Sequence, residues 1–333
     1  MRKLLISIAV ALTASVALTA CGSDSGSSTA DSGTAKIKIG YPSDTASYGD
    51  LYVCQDEGIF KKNGLEVELS LLKTSSQLLA ALTSDSVQIA GGDGRAVAAG
   101  ALKGADLRMI ELKIPAYFVE MWGGKDIQSL DQLRGKKVGV TAPGSVTDAA
   151  TRLMLKDKGL ADDVEVANLN SLPALLAAAK SGAVDALVTA PPQGTSTQSM
   201  GWHKITDMTN YKTAASVYTV SGKYADEHPD VVASFVKADV ECLSFLHKAE
   251  NKEKSVDAIQ KYTKTEDREG AAYAYDFFAK IWATDPVVDE DLIREAFVEA
   301  AVGGDVPDDL SKFIDNSYLD KLRDEGLIDE PKK

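Results

Sequence analysis

Hydrophobic and polar positions change period repeatedly along the chain. In "KIKIGYPSD", Ile37 and Ile39 alternate with lysines, the two-residue period of a half-buried strand, and the run breaks at Gly40-Tyr41-Pro42. "YGDLYVCQDEGIF" reads as a helix stopped at Gly58. "LEVELSLL" sets Val67, Leu69 and Leu71 against Glu66, Glu68 and Ser70, which predicts a second strand. Ser75 or Ser76 is placed to cap a helix carrying Leu78, Leu79 and Leu82. Val87 and Ile89 then give a short strand that runs into Gly91-Gly92-Asp93-Gly94. This β-α-β-α-β order predicts a parallel sheet covered by helices.

The same order recurs about a hundred residues on. "LLAALTSDSV" from Leu78 is echoed by "LLAAAKSGAV" from Leu175, with Ser84 matching Ser181 and Val87 matching Val184 at one constant offset. Before the second copy come a strand with Val138 and Val140, a helix with Leu153 and Met154 capped by Ser145 or Thr147, and the strand "VEVANLN". The chain therefore holds two α/β lobes of similar make, each offering strand-end loops to a shared cleft, where ligands bind in such sheets. "AYFVEMWGG" (116–124) and "AASVYTVSG" (214–222) are β-rich and flanked by small residues, as expected of two hinge strands crossing between lobes. The last third is helical; in "EHPDVVASFVKADVECLSFLHK" one face carries Val232, Phe235, Val236, Leu243 and Leu246, and Pro229 suits a first turn.

A length of 333 residues suits two domains, and 44% apolar with 26% charged residues describes a folded globular chain. The net charge of −13 leaves no basic stripe for phosphate contacts, which argues against a nucleic-acid partner. At the N-terminus Arg2 and Lys3 precede an apolar run from Leu4 to Ala20, then "LTAC" and "GSDSGSSTADSG". This resembles the signal and lipobox of bacterial lipoproteins, which implies cleavage before Cys21, a lipid on its sulfur and a Ser/Gly-rich tether. The expected organisation is a signal at 1–20, a lipidated tether at 21–35, lobe I at 36–117 and 221–333, and lobe II at 118–220. Cys54 and Cys242 both sit in apolar helical patterns and are expected as buried free thiols, with a disulfide as the alternative.

"GDLYVCQDEGIFKKNGLEVEL", "SLDQLRGKKVGVTAPGS", "LLAAAKSGAVDALV" and "SGKYADEHPDVVASFVKA" together resemble the extracellular solute-binding proteins of ABC importers. The branch is the NMT1/THI5-like one, which covers nitrate, taurine, alkanesulfonate and thiamine-pyrimidine binders. The resemblance implies the type II periplasmic-binding fold, two α/β lobes joined by two hinge strands around a ligand cleft. It also implies a small-molecule ligand, an ABC permease and through it an ATPase as partners, and a monomer anchored by Cys21 outside the cell membrane. A tethered sensor that presents its ligand to a receptor is the alternative. "YPSD" does not reproduce the Trp-Pro-Asn turn of the pyrimidine binders, so an oxyanion and a planar heterocycle both stay open as ligands.

Helix starts and exposed amides can hold an anion or a polar ring without a titrating side chain. Candidate ligand-binding positions are Tyr41, Ser43, Thr45 and Tyr48 after the first strand, with Ser75 and Ser76 at a helix start. Gly92, Asp93 and Arg95 in the glycine turn, Gly144 and Ser145 after "GVTAP", Thr189 and Ala190, and Tyr218 complete the set. For each hydroxyl a plain cap or turn role competes. Arg95 could pair a sulfonate or carboxylate bidentately, or simply bridge to Asp93; Asp93 suits an amine or ring N–H. Tyr41, Tyr48, Trp122 and Tyr218 offer aromatic walls, although Trp122 fits core packing better. No metal or cofactor is expected. His203, His228 and His247 lack metal-ligand spacing, and neither a Gly-x-Ser-x-Gly elbow nor a P-loop occurs, so no enzyme activity is expected. The related pyrimidine synthases use a cysteine-rich segment that "YVCQD" does not reproduce.

Overall fold

The computed structural model describes residues 34–328. The expected signal, the lipidation of Cys21 and nearly all of the tether lie outside those residues. In chain order the first lobe begins with strand Ala35–Tyr41 (β1), helices Gly49–Asp56 (α1) and Ile59–Lys62 (α2), and strand Leu65–Leu71 (β2). Helix Ser75–Thr83 (α3), strand Ile89–Gly92 (β3), helix Gly94–Leu102 (α4) and strand Leu107–Ala116 (β4) follow. The second lobe comprises Glu120–Gly123 (β5), Lys137–Val140 (β6), helix Val146–Asp157 (α5), Glu165–Asn168 (β7), helix Leu172–Ser181 (α6), Ala186–Thr189 (β8) and His203–Asp207 (β9). Lys212–Ser221 (β10) returns to the first, and helices Gly222–Glu227 (α7), Pro229–His247 (α8), Lys252–Thr263 (α9), Arg268–Phe278 (α10), Glu290–Ala301 (α11) and Ser317–Asp324 (α12) cover it.

The two sheets have one plan. Their strand orders are β2-β1-β3-β10-β4 and β7-β6-β8-β5-β9, and in each the first three strands are parallel and the fourth antiparallel. The echoed "LLAA" segments are α3 and α6, in matching places. A Cβ on Gly40 of β1 would lie 2.8 Å from Leu78 Cδ1, and one on Gly139 of β6 would lie 2.6 Å from Leu175 Cδ1. Val87 and Val184 close the same two contacts. A bare glycine on the middle one of each sheet's three parallel strands thus lets the first leucine of each copy seat directly on the sheet, where burying it contributes about 1.5–3 kcal/mol. The repeat in the sequence is this packing unit used twice.

Two segments cross between the sheets, and they are bonded to each other. Tyr117 N–H donates to Tyr211 O at 3.0 Å and Met208 N–H to Val119 O at 3.0 Å. The first crossing falls inside the expected 116–124. The second lies between β9 and β10, not at 214–222. Residues 212–221 form a full strand of the first sheet, pairing with both β3 and β4, so this passage comes about ten residues before the expected return at 221. Small residues in "AASVYTVSG" reflect a strand pressed against helices: a Cβ on Gly94 at the start of α4 would lie 2.6 Å from Ala214 Cβ.

The expectation of free thiols at Cys54 and Cys242 is overturned. α1 and α8 pack side by side, their Cα atoms at these positions are 5.6 Å apart, and the two sulfurs form a disulfide. A separation of 188 residues hid the pairing, because helical periodicity says which face is buried and not which helix it meets.

A charged group lies inside the first lobe. Lys113, with no exposed side-chain surface, donates to Asp50 Oδ1 at 2.8 Å, to the Tyr218 hydroxyl at 3.1 Å and to Ser47 O at 3.1 Å, and Tyr218 donates to Asp50. Glu111 and Asp239 are fully buried in the same group, and their carboxylate oxygens have no hydrogen-bond partner. One ammonium cannot offset three carboxylates away from water. Desolvation, then the negative neighbours Asp239 and Asp50 for Glu111 and Asp50 for Asp239, push both carboxyls well above the ordinary range.

Two outcomes follow. A Cys21→Ser chain unfolded without reductant should titrate no free thiol, and removing the Cys54–Cys242 bond should lower stability by about 2–4 kcal/mol in urea denaturation. Because the folded protein holds protons on Glu111 and Asp239 that the unfolded chain gives up near pH 4, stability should fall as pH rises above about 4. Glu111→Gln and Asp239→Asn, which mimic the protonated forms, should flatten that fall in melting curves taken across pH.

Candidate functional site

A cavity of about 650 Å³ opens between the lobes at the carboxyl ends of β1, β3 and β6. The first lobe supplies Ser43 and Tyr48 after β1, Ser75, Leu78 and Leu79 from α3, and Gly92, Asp93 and Arg95 at the start of α4. Ala215 and Ser216 come from β10, and Glu299, Ala300 and Val302 from the end of α11. Across from them stand Phe118 on the first crossing and Gly144, Ser145 and Val146 at the start of α5.

Two helix starts face this space from opposite lobes. Asp93 caps α4, its Oδ1 accepting from Arg95 N–H at 2.8 Å. Ser145 caps α5 within a hydroxyl group: Thr141 Oγ1 lies 3.0 Å from Ser145 Oγ, and Thr147 Oγ1 accepts from Thr141 N–H at 3.0 Å. Gly144 has φ of 69°, in the left-handed region that a side chain would strain. Its N–H donates to Asp148 Oδ2 at 2.8 Å, and its carbonyl accepts from the Arg95 guanidinium of the other lobe. Arg95 thus ties the lobes together at the mouth of the cavity, with Asp93 Oδ2 at 3.7 Å and Glu299 Oε2 at 3.9 Å from its nitrogens. Burial raises the carboxyls of both Asp93 and Glu299, and Arg95 pulls against it.

A second tie lies farther along the cleft. Glu120 of β5, fully buried, accepts from Tyr273 on α10 and from Lys204 on β9 at 3.0 Å. Beside it a cavity of about 540 Å³ runs between Pro192–Gln198 and the start of α10.

Of the candidates from sequence, Ser43, Tyr48, Ser75, Gly92, Asp93, Arg95, Gly144 and Ser145 line the larger cavity together. The others do not line it. Tyr41 bonds Asp44 at 3.1 Å and packs on Tyr48 and Tyr52, and this burial pushes its hydroxyl up to about 12. Thr45 bonds the Ser47 hydroxyl at 2.7 Å. Ser76 is exposed on the outer side of α3, and the cap of that helix is Thr74, which accepts from Gln77 N–H; Ser75 and Ser76 are already in the first turn. Thr189 and Ala190 lead toward the smaller cavity through Pro192 and Gln193. Tyr218 sits in the middle of β10 with no exposed surface, bonded to Asp50 behind Tyr48, because β10 is a core strand and not a crossing. Trp122 is core, its ring filling the space where a Cβ on Gly194 would stand.

Ser216, Phe118, Glu299 and Val302 were missed in the sequence. A serine amid "AASVYTV" and the end of a helix about eighty residues downstream of it carry no local mark of a cleft. Val302, 89% exposed at the end of α11, is set apart only by its exposure in the folded chain.

The family model described as NMT1/THI5 like matches residues 46–250. No curated protein sequence matches the chain. Among solved structures, a putative periplasmic sulfonate-binding protein of an ABC transporter, SsuA from Methylobacillus flagellatus, superposes with a TM-score of 0.71 at 15% identity, covering 90% of this chain and 98% of its own. A Candida albicans protein described as having the generic periplasmic binding protein fold gives 0.65 at 17% identity over 85% and 96%. A cysteine-to-serine variant of DszB, a desulfurization enzyme, in complex with biphenyl-2-sulfinic acid gives 0.65 at 16% over 87% and 99%. At these identities the likeness is one of fold, and that fold, two α/β lobes around a cleft, is the periplasmic-binding one expected from the sequence. With the family model spanning most of both lobes, the chain belongs to the NMT1/THI5-like family.

Proposed function

We propose that this protein is the solute-capturing component of an ABC importer. In this reading it is held to the outer face of the membrane by lipid on Cys21 and passes a small molecule to a permease. The observation that carries the reading is the 650 Å³ cavity lined from both lobes, at the mouth of which Arg95 and the Gly144 carbonyl join across the gap. A cavity of that size suits a drug-sized solute. Closure about the paired crossing segments would shift the population toward the joined form when solute is bound. The disulfide supports an oxidising compartment outside the cytoplasm.

An enzyme of the same fold, DszB, keeps fold alone from deciding between binding and catalysis. The cavity lining favours binding. Among the described residues its lining holds no histidine and no cysteine, and Ser47 and Ser145 bond neighbouring hydroxyls. Among the described residues no cluster of His, Cys, Asp and Glu is arranged to hold a metal, and no helix is long and apolar enough to cross a membrane.

The reading is tested by thermal unfolding of the protein against nitrate, taurine, alkanesulfonates, thiamine pyrimidines, riboflavin and aromatic carboxylates. A captured solute at a hundredfold over its Kd should add about 2.7 kcal/mol, a rise of several degrees in Tm. Arg95→Ala, which cuts the tie between lobes, should weaken that solute's binding at least tenfold. A solute that binds with affinity unchanged in Arg95→Ala would show that capture does not run through this cleft.

A further inference from the structure

The two crossings enter the second lobe side by side. Glu120 opens β5 just after the first, Asp207 closes β9 just before the second, and the two are paired in register. Lys204 Nζ lies 3.0 Å from Glu120 Oε1 and 3.8 Å from Asp207 Oδ2. Asp207 Oδ1 accepts from the Thr209 hydroxyl of the second crossing at 2.6 Å. A small charged group is thus set at the root of the ribbon, and Trp122 Nε1, 3.4 Å from Glu120 Oε2, backs it.

One helix of the first lobe reaches both this root and the first crossing. On α10, Tyr273 donates to Glu120 Oε1 at 2.5 Å, and Phe278 packs on Phe118 with ring centres 5.7 Å apart. The helix is firmly seated in its own lobe: Phe278 has no exposed surface and stacks on Trp282, and the Tyr275 hydroxyl donates to Leu246 O at 2.6 Å. The Tyr273 bond has a charged acceptor that is fully buried, which makes it a strong one. It also lies one residue from the ribbon, so a displacement that breaks it there corresponds to a much larger one at the mouth of the cleft. Glu120 keeps Lys204 when that bond opens, so parting the lobes leaves no lone buried charge. Burial, then the bond to Glu120 and the charges of Glu120 and Asp207, hold the Tyr273 proton above the ordinary tyrosine range, so the donor persists at mildly alkaline pH.

We infer that α10 is the brace of the hinge: Tyr273 on Glu120 sets the resting angle of the lobes, and Phe278 on Phe118 links that brace to the cavity wall. Phe118 lines the larger cavity, so a solute pressing on it acts on the same helix that holds the root of the ribbon. Tyr273 is a positioning residue, absent from that lining. The use of the brace in closure rests on the solute-capture reading; the brace itself is a matter of lobe geometry and is tested without solute.

The test is pulsed electron resonance on the solute-free full chain with spin labels at Lys61 and Lys180, one on each lobe. Tyr273→Phe, which removes one hydroxyl and keeps the ring, should move the distances outward. The ratio of shorter to longer component should fall about fivefold, the scale of one lost hydrogen bond. The circular dichroism spectrum should not change. Glu120→Gln with Lys204→Met, which leaves an acceptor but no charge, should move the distances in the same direction by less. Asp276→Asn removes a bond from α10 to Lys252 on α9, away from the hinge, and should leave the distances as they are. Distances unmoved by Tyr273→Phe would overturn the inference. An equal shift in Asp276→Asn would overturn it too, since the effect would then come from a loosened helix. If no solute in the wider panel raises Tm, the capture reading fails while these distances still decide the brace.

Discussion

Among the described residues the chain passes between the lobes twice, through two short crossings, and the placement of everything between 120 and 207 depends on them. Tyr117 to Tyr211 and Val119 to Met208 are main-chain hydrogen bonds, so the two crossings behave as a two-stranded ribbon and not as independent tethers. A ribbon of that kind bends more readily than it shears. In the proposed capture it would let the lobes open and close with the carboxyl ends of β1 and β3 facing that of β6. The cleft is a consequence: parallel strands end in loops and helix starts, and two such ends held face to face enclose a space.

Within each lobe the constraint is steric. Gly40 under Leu78 and Gly139 under Leu175 let a helix come down onto β1 and β6 closely enough to exclude water. That contact fixes α3, whose Ser75, Leu78 and Leu79 wall the cavity, while α4, which carries Arg95, is pressed onto β10 at Gly94. The buried group of Lys113, Asp50 and Tyr218 lies under Tyr48, with the ammonium 4.1 Å from the Tyr48 ring centre. The cavity wall is therefore backed by a charged layer that resists displacement, because breaking a buried pair leaves an uncompensated charge.

Much of this was legible in the chain. Strand alternation around Ile37 and Val67, the glycine turn after Ile89, and the doubled "LLAA" unit led to two like lobes and to a cleft between strand ends. Candidates that depended only on strand ends, such as Ser43, Asp93, Arg95 and Ser145, do line one cavity. What failed depended on contacts between distant segments. The Cys54–Cys242 bond joins α1 to α8, and nothing local to either helix announces the other. Tyr218 looked like a hinge aromatic because "AASVYTVSG" is rich in small residues, yet those residues serve close packing of a core strand. Glu299 and Ser216 reach the cleft through the return of the C-terminal helices and of β10, which periodicity cannot fold back.

The central claim is that solute is held by closing two lobes about the paired crossings. The most direct measurement is the distance between spin labels at exposed Lys61 on the first lobe and exposed Lys180 on the second, by pulsed electron resonance, with and without a solute that raises Tm. The account predicts a broad or two-peaked distribution without solute that collapses onto its shorter distance when solute binds. A single distance, unchanged by a solute that plainly stabilises the protein, would contradict it.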